Sequence, residues 1–263
     1  MSLIDEKSQY YTFTSYILPE LKEDEVYFVS LSARNKYLSQ EERQRYCLGR
    51  TEMFARTLVR SKAELADVMD KLASERHLKR TKTGHQIPLK ALVTYFNINP
   101  SSSVRAMLLF QKKMADMIGE TMLGLLNNSS PNVESYRRID RMLMNCFQKS
   151  PGHKTWVDID MDVAKKDRQY LAFTTLFRSH GIRFAVIETK NGYHVLVHTV
   201  DLKEKAKTMP VKLHEVVKDC HNTESSFGGE VVFNSNGMVP LPGTLQSRFP
   251  VSIAEISPLC LQQ

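Results

Sequence analysis

Between Trp156 and Asp162 the chain reads Trp-Val-Asp-Ile-Asp-Met-Asp, and no other run constrains the fold as much. Apolar and acidic residues alternate there with the period of a β-strand, so residues 155–163 are expected to form one. Neighbours at i and i+2 share a strand face, which sends Asp158 and Asp160 one way and Val157, Ile159 and Met161 the other. The apolar set calls for a helix layer, and the acidic set is expected on the open side of the sheet, with Asp162 at the strand end. Aspartate is a poor strand residue, so two in a strand core need a reason. Adjacent carboxylates repel each other and stay ionised only beside a cation or strong hydrogen-bond donors. Hard divalent cations take oxygen ligands, and Mg2+ or Mn2+ beside substrate phosphates would suit this pair. The alternatives are a solvated acidic edge or a strand end touching basic neighbours.

The surrounding pattern is α+β. After the acidic strand, residues 167–181 read as a helix stopped by Gly181, and 182–189 as a strand. Asn191-Gly192 is the signature of a two-residue hairpin turn, with 193–200 as the return strand. Residues 202–219 read as helical around Pro210, 229–234 as a strand, and the proline-rich 239–251 as a rigid loop. In the first half, 26–32 is aromatic and β-branched and reads as a strand. Ser39 and Glu42 have the spacing of a capping box, and the mixed-charge run that follows, through Val59, carries a helical pattern interrupted by Gly49. Further helices are expected at 62–76, 103–125 and 133–147, whereas Leu92–Ile98 fits either a strand or a helix end. The Met, Leu and Phe residues along 103–125 are read as core. Residues 149–154, Lys-Ser-Pro-Gly-His-Lys, read as a linker. The expected organisation is therefore an N-terminal α/β lobe with helical elaboration, 1–150, and a second lobe, 151–263, carrying the acidic strand.

His194 opens the strand after the Asn-Gly turn and shares a face with Leu196 and His198. A lone strand histidine is more often structural than functional. If the hairpin lies beside the acidic strand, however, the imidazole could donate to a phosphate. Gly192 would admit phosphates close to the backbone, Thr189 and Asn191 offer further donors, and Lys190 is the best single candidate for a phosphate contact.

The 263 residues are 42% hydrophobic, enough for one large domain or two small lobes. Net charge is +7, from 36 Lys and Arg against 29 Asp and Glu, which favours an acidic partner without requiring one. Arg34, Lys36 and Tyr37, then Arg43, Arg45 and Arg50, and the run Lys79, Arg80 and Lys82 are candidates for contacting a nucleic-acid backbone. The four cysteines lack metal-ligand spacing, including Cys220 beside His221, and are expected to be free thiols. The N-terminus does not read as a secretory signal, and no apolar run approaches membrane-spanning length. An intracellular protein, cytoplasmic or nuclear and without a membrane partner, is the expectation.

Taken in order, three segments resemble the archaeo-eukaryotic primase, or primase-polymerase, superfamily. They are Asp158-Ile159-Asp160, Lys190-Asn191-Gly192-Tyr193-His194 followed by Val195-Leu196-Val197, and Val239-Pro240-Leu241-Pro242-Gly243-Thr244. The resemblance covers about residues 153–250 and implies a two-lobed fold with a mixed, largely antiparallel, RRM-like catalytic sheet. It implies a metal-dependent nucleotidyltransferase acting as a DNA primase or polymerase, with Mg2+ or Mn2+ on Asp158 and Asp160. His194 would contact the triphosphate of a nucleoside triphosphate, with Lys190, Asn191, Gly192, Thr244 and Arg248 also lining it. Single-stranded nucleic acid, DNA by the resemblance, would be the template, with a helicase or other replication protein as a candidate partner. The family's third acidic residue has no clear counterpart here. Asn234 or Asn236 stands in its region, and Glu230 is the nearest carboxylate. That departure keeps two other readings open: a catalytically reduced, nucleic-acid-binding replication protein, and another metal-dependent phosphotransferase or nuclease.

Overall fold

The structure, a computed structural model, describes residues 3–75, 84–128, 130, 133–162, 170–205, 230–234 and 237–261. The first half opens with α1 (Lys7–Thr12), which runs into a π-helical turn at Phe13–Ile17. Then come β1 (Glu25–Arg34), α2 (Gln40–Tyr46), β2 (Thr51–Val59), α3 (Lys62–Glu75), β3 (Leu92–Asn97) and the short β4 (Ser101–Ser102). Three helices follow: α4 (Ser103–Leu126), α5 (Val133–Tyr136) and α6 (Ile139–Gln148). The second half comprises β5 (Trp156–Asp162), α7 (Tyr170–Ser179), β6 (Phe184–Glu188), β7 (Tyr193–His198), α8 (Thr199–Lys205) and β8 (Glu230–Asn234). Four short strands close it: β9 (Met238–Pro240), β10 (Leu245–Gln246), β11 (Phe249–Pro250) and β12 (Ser252–Ile256). No described helix is long and apolar enough to cross a membrane.

Every described strand pair is antiparallel. The first sheet has the order β2-β1-β3-β9, with β4 added to β1; the second has the order β12-β6-β7-β5-β8; and β10 and β11 form a two-stranded ribbon. Among the described residues, the elements that form and accompany the second sheet come in the order β5, α7, β6, β7, α8, β8, a β-α-β-β-α-β succession, with β5 and β7 central and β12 added at one edge.

Alternation along β5 sorts its two faces as the sequence implies. Ile159 and Met161 pack with Val195, Val197 and Phe184 against Tyr170, Phe173 and Phe177 of α7. Burying each such large apolar side chain is worth roughly 1.5–3 kcal/mol. Helix α7 stops where expected: Gly181 takes φ +63°, and the Ile182 N–H closes back on the Phe177 carbonyl at 2.9 Å. The acidic face is not open. Trp156, Ala185, Ile187 and Leu196 from that face join Tyr27, Val29, Leu31 and Phe96 of the first sheet in one core. The indole of Trp156 donates to the Ile17 carbonyl at 2.8 Å, tying β5 to the N-terminal helical turn.

Some expectations are corrected. Helix α2 has its capping box at Ser39 and Glu42 but ends at Cys47, which takes the left-handed conformation, and the residues after Gly49 form β2 instead of more helix. Pairing with β1 decides this, and it buries Ala55 and Val59 on one face of the strand. The register shifts between Leu31 and Ser32, where Phe54 is the extra residue of a bulge. The β6–β7 connection spans four residues, Thr189–Gly192, with Glu188 opposite Tyr193, and neither Asn191 nor Gly192 has a positive φ. The two-residue hairpin turn with both φ positive lies instead at Ser247-Arg248, between β10 and β11. The expected linker is fastened to the first sheet. Gly152 donates to the Pro100 carbonyl, and His153 donates from its backbone and contacts through its ring the buried Glu25 carboxylate.

The strands also do not divide at residue 150, because β9 returns to pair with β3 in the first sheet. Residues 206–219, Lys79, Arg80, Lys82, Cys220, His221 and Asn236 lie outside the described residues. Cys47, Cys146 and Cys260 are free, the last two buried.

Candidate active site

The β5–β7 register brings the sequence-flagged residues together. Asp160 lies directly opposite His194, and Asp158 opposite Leu196 two pairs away on the same face. The His194 Nδ1 lies 3.0 and 3.1 Å from the two carboxylate oxygens of Asp158, and its Nε2 lies 3.7 Å from Asp160 Oδ1. The first is hydrogen-bond geometry; the second is an ionic contact only. Asp158 has 1% of its side chain exposed, His194 10% and Asp160 37%, so the cluster is closed beneath Asp158 and open at Asp160.

Electrostatics follow from that burial. Burial works against a charge on His194, yet Asp158, by charge and by hydrogen bond, with Asp160 and Asp162, raises its pKa to about 9. The imidazolium is thus the cation held between two carboxylates. It does not satisfy both. Asp160 is held above the usual carboxylate range, mainly by burial and further by Asp158 and Asp162, against the pull of His194 and Lys36. A hard cation at Asp160 would relieve that shortage of positive charge, and the oxygen donors suit Mg2+ or Mn2+. Among the described residues, no group of three or more His, Cys, Asp and Glu side chains is placed to hold a metal ion.

Residues from the first sheet complete the surroundings. Lys36 follows the end of β1. Partial burial holds its ammonium below the usual lysine range; Asp162 and Asp160 pull it back up, and Arg34 and Arg50 push it further down. Arg34 donates to the Tyr95 hydroxyl at 2.6 Å. Burial raises the Tyr95 pKa, and the charges of Asp160 and Asp162 add to that rise. Lys190, in the β6–β7 loop, reaches toward the same region. Its Nζ lies 4.9 Å from the centre of the Tyr37 ring and donates to Ser247 Oγ at 2.8 Å, while its backbone N–H donates to Gln246 Oε1 at 2.7 Å.

The other expected residues are placed less directly. Asn191 is exposed, and Gly192 is buried with its carbonyl accepting from the Thr189 backbone at 2.9 Å. Thr244 is buried, and its hydroxyl donates to the Leu241 carbonyl at 2.7 Å, closing its own loop. Arg248 is exposed at the hairpin tip, with φ +68°. In β8, Asn234 lies opposite Asp158, Val232 opposite Asp160 and Glu230 opposite Asp162. His198 lies at the far end of β7, against Trp156, and shares the Arg183 and Asp201 ion cluster. It is a structural histidine.

Tyr95, Gln246 and Ser247 were not singled out by sequence. The apolar run around Tyr95 signals a strand and nothing more. Gln246 and Ser247 follow the Pro-Gly-Thr element within three residues of Thr244, a proximity that was the only available signal. No protein-family model, curated protein or solved structure matches the chain.

Proposed function

We propose that this chain is a metal-dependent nucleotidyltransferase of the primase-polymerase type, incorporating nucleotides on a single-stranded DNA template. One observation carries the reading. Asp158, His194 and Asp160 cluster on adjacent central strands, with the charges of Lys36 and Arg34 close by and Lys190 over the neighbouring Tyr37 ring. The order of the described elements around the sheet that bears them, β-α-β-β-α-β, is a second support for this reading. Asp158 and Asp160 would hold Mg2+ or Mn2+, which would neutralise the triphosphate and orient the attacking oxygen. His194, charged at neutral pH, would turn from the carboxylates to a phosphate oxygen, and Lys190 would add a second positive contact.

The β8 register favours a second reading, a nucleic-acid-binding relative with reduced catalysis. Val232 lies opposite Asp160 and Asn234 opposite Asp158, so neither position supplies a carboxylate beside the pair. Primer extension with Mn2+, nucleoside triphosphates and a single-stranded template separates the two. Incorporation that disappears in Asp158→Ala and Asp160→Ala is the expected result. DNA binding without incorporation would replace the first reading with the second.

A further inference from the structure

Helix α4 carries an apolar stripe that the other described residues leave uncovered. Its opposite face supplies Ala106, Leu109 and Phe110 to a core with Phe28 and Phe147. The stripe itself consists of Val104, Leu108, Ile118, Met122 and Leu125, exposed by 57%, 61%, 46%, 62% and 55%. Gln111 and Ala115, also exposed, fill its middle. From Val104 to Leu125 these positions alternate steps of four and three, the spacing of a coiled-coil seam. Over 24 residues the helix is about 36 Å long. With the flanking Met107 and Leu126, the exposed apolar side chains amount to roughly 700 Å2, close to what each partner contributes to a standard protein interface.

Charge selects the occupant. Arg105, Lys112 and Lys113 lie in the first half of the helix and Asp116 and Glu120 in the second, with Ala115 near the midpoint. Lys112 and Asp116 flank the same side of the stripe, one turn apart. A second α4 laid antiparallel about a two-fold axis near Ala115 brings the basic first half of each helix alongside the acidic second half of the other. It sets Leu108 against the partner's Met122 and opposes the helix dipoles. A parallel pair would set like charges together. We propose that α4 is a homodimerisation surface on which two copies of this chain pair antiparallel along the stripe. The small Ala115 at the centre lets the two helix backbones approach closely.

Sedimentation velocity across a concentration series tests this. The wild-type chain is expected to reach twice the monomer mass, and Leu108→Glu with Met122→Glu to remain monomeric with an unchanged circular dichroism spectrum. Lys112→Asp and Asp116→Lys are each expected to weaken association about tenfold, and the two together to restore it. A wild-type chain that stays monomeric at every concentration overturns the proposal, whether another segment or another protein covers the stripe. So does a dimer that survives the Leu108→Glu and Met122→Glu changes. Charge variants with no effect overturn the antiparallel arrangement.

Discussion

His194 is the only basic group hydrogen-bonded to the Asp158 carboxylate among the described contacts, and Asp158 is 1% exposed. Breaking a buried pair by removing one partner strands a charge, which costs about 3–5 kcal/mol. His194→Ala should therefore destabilise by about 3 kcal/mol in urea unfolding, and Asp158→Asn by less, because its amide still bonds the ring. Equal losses would show that the pair is not coupled as the geometry states. Glu25 offers the opposite case, a buried carboxylate with donors in place. Burial raises its pKa, but the backbone N–H groups of Lys22 and His153 and the His153 ring overcome this and hold it below the usual carboxylate range. A depressed folded pKa stabilises above the unfolded value and is lost as pH falls through the folded one. The stability gap between wild type and Glu25→Gln should close progressively below about pH 4.5, as the Glu25 carboxylate takes up its proton. A gap independent of pH would mean that the Glu25 charge contributes nothing.

At the scale of elements, legibility followed how local the deciding interaction is. The Ser39–Glu42 capping box, the Gly181 stop and the alternation of β5 depend on neighbours in sequence, and each stands where the residues place it. Strand β2 depends on β1, so its mixed charge looked helical until pairing fixed Ala55 and Val59 inward. The Asn-Gly signal failed for a related reason. The β6–β7 loop is held by Thr189 and by Gln246 and Ser247 of a distant hairpin, which override local turn preference. The Pro-Gly-Thr element was legible as a motif but not in its structural work. Gly243 has φ +84°, and a Cβ there would meet the Glu6 carbonyl oxygen at 2.6 Å and the Tyr10 backbone nitrogen at 2.9 Å. Its own carbonyl accepts from the Asp5 and Glu6 amides. Gly243→Ala is strained twice over and should cost about 3 kcal/mol, read as a lower melting temperature. A melting temperature equal to wild type would show that α1 moves aside at little cost.

At the scale of the molecule, the candidate site belongs to both sheets. Asp158, Asp160 and His194 come from the second, while Lys36, Arg34 and Tyr95 come from the first. Sequence showed the first set because strand alternation and motif order are local properties. It named Arg34 and Lys36 only as candidate nucleic-acid contacts and could not join them or Tyr95 to the carboxylates, because which strand end meets the carboxylates is set by long-range packing. That packing is one core. Trp156, Ala185, Ile187 and Leu196, with Val239 and Leu241, fill space against Tyr27, Leu31 and Phe96, and β9 completes the edge of the first sheet. Residues 1–150 alone would leave that face of β1 and β3 uncovered and expose the edge of β3. A chain ending at residue 150 should therefore lack fixed tertiary packing, bind a hydrophobic dye and show a weak near-ultraviolet dichroism signal. In the full chain, Trp156 is the single tryptophan, is 3% exposed and lies in that shared core, so its fluorescence reports the joining of the sheets directly. Its transition in urea should coincide with the loss of far-ultraviolet dichroism, as one cooperative unit requires. A tryptophan transition that precedes the dichroism change would mean that the sheets separate before they unfold, and that the site comes apart while each half persists.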